Sequence, residues 1–511
     1  MTAFAIPSAL IAVVPALPLA AALLVTVLQL SGRARGEEGE RITALSTLSA
    51  IALALAGLVA FAAQGLVLGW PGHVRLGEWF ASGALLVPFS FTLDGLSLGF
   101  GATVGIIALA TLKFSVSYLH REAGFHRFFI GMNLFCGGIL LVVLAGNAAL
   151  LFVGWELMGL ASWMLIGYAY DRPAATRGAE RAFLTNRVGD AGLVLGLSLS
   201  FLWLGSLEWA DMAAAADSLP TLYVSLTALG FVTAALAKSA QLPFTSWIGR
   251  ALEGPTPSSA IFYGAVMVHA GVILLARLEP VLAHTSGVSV LIGVLGGLTT
   301  VYAWLVGYTQ TDVKSSLLFA VVAQVGLMFV AIGLGWFEVA AWHAALHALW
   351  RAWQFLAAPS FMHMLDRPTP PAPAWLSRCH RLYTAALQRF WLEPLTDRLL
   401  TQPTLALARD MRALDERVVS RLLGMPAAER AAELLAGREE VVKGRGVLGR
   451  LLAWTADRLN RFEDRLVLHG GGGRLGRGLT QLGSGLRLVE ELLEQPRYLL
   501  VLIMATMVVI L

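Results

Sequence analysis

Several ionisable side chains of this 511-residue sequence stand inside otherwise apolar runs. A charge at the centre of a bilayer costs at least about 2.5–3.5 kcal/mol, so each is a candidate for function. Glu156 sits in GWELMGLASW and Lys238 in ALAKSAQLPF. Opposite charges on nonadjacent helices can titrate in response to one another, as stepwise proton transfer requires. Lysine suits that task because burial readily lowers its hold on a proton. Arg187 and Asp190 are three apart near the start of their run, where one helix face can hold them as a structural or supporting ion pair. His269 lies mid-run, and His343, His347 and Arg351 recur every four residues, forming one stripe on a helix. An HxxxH pair can bind a metal. The guanidinium one turn further on would repel a divalent cation, however, and no Cys, Asp or Glu stands at suitable spacing, so a proton relay is favoured over zinc. Pro243, five residues after Lys238, should break that helix beside a buried charge, as at ion sites of transporters. Ser258 or Ser259 is placed to cap the helix after GPTPSSA.

The elements that must hold these residues are membrane helices. The composition is 57% hydrophobic and 14% charged, with mean hydropathy +0.70, outside the range of soluble globular proteins. Apolar runs long enough to cross about 30 Å of hydrocarbon fall near 7–30, 41–65, 95–118, 127–145, 147–169, 181–204, 222–242, 258–277, 286–308, 313–333 and 339–361. The first lacks a basic flank and a small-residue cleavage site and reads as a retained helix. Arg33, Arg35 and Arg41, then Arg121 and Arg127, then Arg172, Arg177 and Arg181 fall in loops on one side, while the loop with Glu208, Asp211 and Asp217 is acidic. The basic side is the cytoplasm, which puts the N-terminus outside.

After His363 a Pro-rich hinge, RPTPPAPAW from Arg367, ends the last of these runs. From Asp366 to Arg497 stand 21 of the 37 Lys and Arg residues and 16 acids, and Trp391, Leu392, Leu395, Leu399 and Leu400 recur at helical spacing. This segment reads as amphipathic helices along the membrane surface or along partner subunits. Tyr498 to Leu511 could anchor the end as a twelfth span. The division is thus 1–90, N-terminal helices and an external loop; 91–365, the ion-translocating core; 366–496, the amphipathic region; 497–511, the anchor. Cys136 and Cys379 support neither a disulfide framework nor a Cys-ligated metal site. No nucleotide, flavin or iron–sulfur motif stands out, so neither a cofactor nor catalytic chemistry of its own is expected.

LDGLSL from Leu93, GWELMGLASWMLIG from Gly154, NRVGD from Asn186, AKSAQLP from Ala237, ALEGPTPSSA from Ala251, QTDVK from Gln310 and HAALHALWRA from His343 occur in order over about residues 90–365. In these motifs the chain resembles the antiporter-like subunits of respiratory complex I, Mrp antiporters and membrane-bound hydrogenases, above all the L-type subunit. The resemblance implies an all-α integral membrane protein of about 11–12 spans. It makes Glu156 and Lys238 the essential glutamate and channel lysine, Lys314 a later lysine, and His343 and His347 the connecting histidines of a hydrophilic axis. FWLEPLTDRLLTQPTLALARDMRALDERVV from Phe390 resembles the stretch near the L-type subunit's lateral helix. Three departures stand out. Tyr263 replaces a histidine, Arg351 replaces a lysine and cannot practically deprotonate, and the later spans of the second inverted repeat are missing.

The expectation is a proton-conducting subunit in the lipid of a bacterial inner membrane, in an obligate hetero-complex and without nucleic acid. The truncated, L-type character resembles the membrane partner in DAB-type inorganic carbon uptake complexes, whose soluble zinc-containing subunit handles carbon dioxide or bicarbonate. The alternatives are a pump subunit of a complex I-like or hydrogenase-like redox machine, and a conduction-dead scaffold.

Overall fold

A computed structural model describes residues 6–32, 36–82, 85–358 and 371–414. The chain divides into two compact units, Met1–Asp397 and Arg398–Leu511. The expected anchor at 497–511 lies outside the described residues, as does the amphipathic region beyond Leu414.

The first unit opens with a 3₁₀ turn, Ser8–Ala12, continued by α1 (Val13–Leu30), and then α2 (Gly36–Leu68). An antiparallel hairpin follows, β1 (Gly72–Ser82) with β2 (Leu85–Leu93), in a register running from Gly72↔Leu93 to Ser82↔Leu85. Next come α3 (Gly95–Tyr118), α4 (Phe125–Leu144), α5 (Ala148–Ile166) and α6 (Pro173–Leu199), then the short α7 (Trp209–Ala216) and α8 (Thr221–Lys238). A 3₁₀ segment, Thr245–Glu253, here called the linker helix, leads to an interrupted span. That span is built from α9 (Thr256–Ser259), a π-helical stretch Ala260–Ala265, a 3₁₀ turn Met267–His269 and α10 (Ala270–Arg277). The brief α11 (Glu279–Leu282) precedes α12 (Ser286–Gly307), α13 (Val313–Gly333) and α14 (Phe337–Ala357). After the hinge come α15 (Ala374–Arg378), α16 (His380–Leu387) and α17 (Leu392–Thr396). Of the second unit the structure describes α18 (Gln402–Leu414).

Among the described residues, ten helices are long and apolar enough to cross a membrane, and they coincide with the first ten apolar runs. The eleventh run forms α14, which has the length, 21 residues, but is diluted by Glu338, two histidines and Arg351. The hairpin is an addition to the expected helical architecture.

Helix starts are set by side chains that satisfy orphan amides. Asp94 and Ser97 form a reciprocal capping box at α3, and Asn147 and Asp312 accept from the amides of Leu150 and Ser315 at α5 and α13. The interrupted span begins differently from expectation. Its first residue is Thr256, its N-cap position is Pro255 with no side-chain cap, and Ser258 Oγ instead donates to the Pro255 carbonyl.

Without a hydrophobic drive between helices in lipid, small residues decide how closely they pack. At the α12–α13 seam, a Cβ on Gly296 would lie 2.6 Å from the Gly326 carbonyl oxygen, and one on Gly333 would lie 2.5 Å from Gly293 Cα. Thr300 Oγ1 donates across the same seam to the Ala323 carbonyl at 3.1 Å. The interrupted span is the most enclosed, its whole apolar window being buried inside the protein.

Candidate functional site

Two polar groups lie within the helical core. The first is built on α5, α6 and α8. Gly189 lets α6 approach α8, since a Cβ there would stand 2.3 Å from that of Ala237, the neighbour of Lys238. Arg187 and Asp190, on either side of this contact, are thereby brought between Glu156 and Lys238. Arg187 Nη1 donates to Glu156, and its Nη2 lies 2.8 Å from Asp190. Asp190 also accepts from Trp155 Nε1 at 2.8 Å and faces Lys238 Nζ at 3.8 Å. Lys238 is 1% exposed, and its ammonium sits 5.0 Å from the centre of the Trp155 ring. Glu156 and Lys238 are therefore joined through an Arg–Asp bridge rather than to one another. The sequence had suggested a structural pair near an interface for Arg187 and Asp190. They do pair, but inside the core as the connecting members of a four-charge chain.

Gly159, three residues after Glu156, supplies the room for this arrangement. A Cβ there would lie 3.1 Å from Arg187 Nη2 and 3.3 Å from Lys238 Nζ.

The second group is made of histidines. His269 Nε2 and His347 Nδ1 are 3.0 Å apart. Arg351 Nε donates to His347 Nε2 at 3.1 Å, and Arg351 Nη1 to Gln354 Oε1 at 2.8 Å. His343 Nε2 meets Gln324 Oε1 at 3.0 Å, and the His343 and His347 ring centres are 5.8 Å apart. Because a guanidinium only donates, this network assigns His347 the neutral form, with its proton on Nδ1. The stripe of His343, His347 and Arg351 faces the protein. The exposed face of α14 carries Trp342, Leu346, Trp350 and Trp353 instead.

The groups are neighbours through backbone. α8 ends at Lys238 itself, so the break precedes Pro243 by five residues, and the chain turns at Ala240 with a positive φ of 50°. Beside that turn, a Cβ on Gly271, two residues after His269, would stand 2.3 Å from Ser239 Oγ. Lys314 belongs to neither group. It donates to Thr256 Oγ1 at 2.7 Å, which also lies 3.2 Å from the Tyr118 hydroxyl at the start of the interrupted span. Tyr263 is fully buried and donates to the Ala251 carbonyl at 2.9 Å.

Three features were missed from sequence. Gln324 and Gln354 carry no charge and gave no signal. Glu208, read as part of an acidic loop, is buried and accepts from Ser90 Oγ at 2.8 Å, with His73 Nε2 at 3.1 Å and Asn147 Nδ2 at 3.3 Å. It thereby ties the hairpin to the α4–α5 and α6–α7 connections.

Known families share this arrangement of helices. Residues 145–369 match the family described as NADH:quinone oxidoreductase/Mrp antiporter, TM, and residues 79–129 match the N-terminus of NADH-ubiquinone oxidoreductase (complex I) chain 5. The chain belongs to the antiporter-like family of membrane subunits. NADH-quinone oxidoreductase subunit L of Campylobacter jejuni is 37% identical over 294 residues, 58% of this chain and 49% of the relative. This antiporter-like chain spans about half the length of the curated relatives it matches. Its fold is also that of two solved complexes. A chain of the membrane-bound sulfane sulfur reductase, an archaeal respiratory membrane complex, superposes with a TM-score of 0.61 at 19% identity, over 68% of this chain and 70% of that one. A chain of the Mrp complex from a Dietzia species gives 0.58 at 21% identity, over 97% and 62%.

Proposed function

We propose that this antiporter-like chain is a proton-conducting subunit of a hetero-complex in a bacterial inner membrane, with its basic loops in the cytoplasm and its N-terminus outside. The observation that carries the reading is the buried chain Glu156–Arg187–Asp190–Lys238, adjoining the His269–His347 contact. Two carboxylates and two cations in one buried cluster can exchange a proton with little change in total charge, which a bare ion pair used only for packing would not require. His343 and Arg351, on the α14 face that carries His347, continue the polar path beyond it. The test is proton uptake into vesicles holding the whole complex. Glu156→Gln keeps the shape and removes the titrating group, and it should lower coupled uptake by at least about 100-fold without loss of assembly. Uptake at the wild-type rate would end the proposal and leave the scaffold reading.

The finer reading is that the complex takes up dissolved inorganic carbon with a soluble zinc-containing partner, and it rests on the sequence resemblance alone. A complex I-like redox machine is served equally well by the same core, and the names of the relatives favour it. Purifying the complex from its natural membrane decides between them: a soluble zinc protein supports the first, quinone-reductase subunits the second.

A further inference from the structure

The linker helix Thr245–Glu253 touches both polar groups' scaffolds. Trp247 Nε1 donates to the Ala237 carbonyl, next to Lys238, at 3.1 Å. The Ala251 carbonyl receives the Tyr263 hydroxyl of the interrupted span, the element that carries His269. This same linker is gripped from outside by the post-hinge segment. Arg250 Nε and Nη2 both donate to Glu393 Oε1, at 3.0 and 2.8 Å, and Arg181 Nη1 of α6 donates to the same oxygen at 2.5 Å. Arg181 also bonds Asp397. One carboxylate thus joins the linker helix to α6, six residues along from Arg187.

An exposed ion pair usually contributes little, and the Arg250 side chain is 59% exposed. Here, however, the grip has a second, independent mark. Arg389, Phe390 and Trp391, just before Glu393, all have positive φ, 51°, 53° and 51°. Residues with a Cβ avoid that region, and a run of three persists only where the surroundings over-determine it. The surroundings are visible. The Arg389 guanidinium lies over the linker helix where a Cβ on Gly249 would be 2.6 Å from Nη1, and it sits 5.2 Å from the Phe319 ring centre. Phe390 packs on Tyr302 with ring centres 5.8 Å apart. A strained turn held by side-chain contacts depends on those contacts to stay in place.

We propose that Glu393 is a positioning residue. By holding Arg250 and Arg181 together it seats the linker helix against Lys238 and the interrupted span, and losing this contact unseats the linker and weakens the proton path. This rests on the proton-conducting reading and adds a residue that positions its path. The seated state keeps Ser246, on the linker helix, buried at 8% exposure.

The experiment uses the assembled complex with Ser246→Cys in a Cys379→Ser background, and it reads two quantities: maleimide labelling at position 246 and proton uptake into vesicles. Glu393→Gln should raise the labelling rate about tenfold, the scale of losing a charge-assisted hydrogen bond, and should lower coupled uptake several-fold. Glu393→Asp should leave both near their starting values. Arg250→Gln, on the other side of the same contact, should behave like Glu393→Gln and serves if that variant fails to assemble. Unchanged labelling in both variants overturns the proposal, and so does raised labelling with unchanged uptake, which would make the contact a strut. Full uptake in Glu156→Gln sinks the proton reading and the role in uptake with it, while the labelling still reports whether Glu393 seats the linker.

Discussion

The carboxylate group around Lys238 and the histidine group around His347 lie side by side but are built on opposite electrical plans. The first balances Glu156 and Asp190 against Arg187 and Lys238. The second sets a permanent guanidinium against an imidazole, with amides from Gln324 and Gln354 as further partners. A proton entering the first can be absorbed by redistribution among four partners. A proton reaching His347 meets Arg351 already occupying its Nε2 lone pair. On the proton-conducting proposal the first would act as a store and the second as a gate, with Arg351 as the group that has to leave the His347 lone pair.

That contrast can be broken most completely at Lys238. Lys238→Arg should reduce uptake nearly as far as Lys238→Ala, by about 100-fold, because a guanidinium stays charged where the store needs a group that gives up its proton. Uptake retained with arginine and lost with alanine would make Lys238 a fixed counter-charge. Arg351→Lys should act in the opposite direction, raising uptake about tenfold near neutral pH, since lysine can release its own proton and free the His347 lone pair. A further loss would show that the guanidinium is needed in place.

Gly159→Ala sharpens the comparison with a smaller step. Its Cβ would press on Arg187 and Lys238 at once, so the store should be distorted by a few tenths of an ångström and uptake should fall about threefold, with the histidine group untouched. An unchanged pH profile of uptake together with unchanged rate would remove Gly159 from the account. The smallest effect concerns neither group. At the head of α3, burial alone would raise the Asp94 carboxyl, but the Arg277 guanidinium and the Ser97 amide outweigh it and hold the group below the usual carboxylate range. Its contribution to stability is present above the unfolded-state value near about 4 and is lost as pH falls through the lower folded one. Asp94→Asn should cost about 1–2 kcal/mol at pH 7 and remove that acid dependence. Thermal unfolding of the purified complex at pH 7 and pH 3 would measure both.

The membrane spans were readable because a 20-residue apolar run has one cheap structure in lipid. Gly95–Tyr118 and Val313–Gly333 match their expected bounds. The hairpin escaped notice because Leu85–Leu93 is apolar but only 9 residues long, too short to count as a span. In the sites, residue type told which side chains were costly to bury, and the motifs told their order. Their partners were not readable. Arg187 reaches Glu156 across 31 residues, and Glu208 reaches Ser90 across 118, contacts that depend on how helices cross. Glu208 in particular looks solvated by its acidic neighbours, and the returning hairpin and Asn147 bury it. The helix break beside the buried charge was readable from Pro243, because its ring lacks an N–H and clashes with the carbonyl four residues earlier, at Ser239, so α8 stops at Lys238.

The glycine seam between α12 and α13 has a mechanical consequence. Two helices whose backbones already touch at Gly296–Gly326 and Gly293–Gly333 have no slack in which to slide or pivot. They form a single stiff plate, and that plate carries Gln324 at its middle, Lys314 at one edge, and the Tyr302 and Trp304 rings against which Phe390 and Trp375 rest. A displacement of those rings would therefore be shared by both helices. Compliance belongs to the interrupted span beside it, whose winding changes from α to π to 3₁₀ and back within 22 residues.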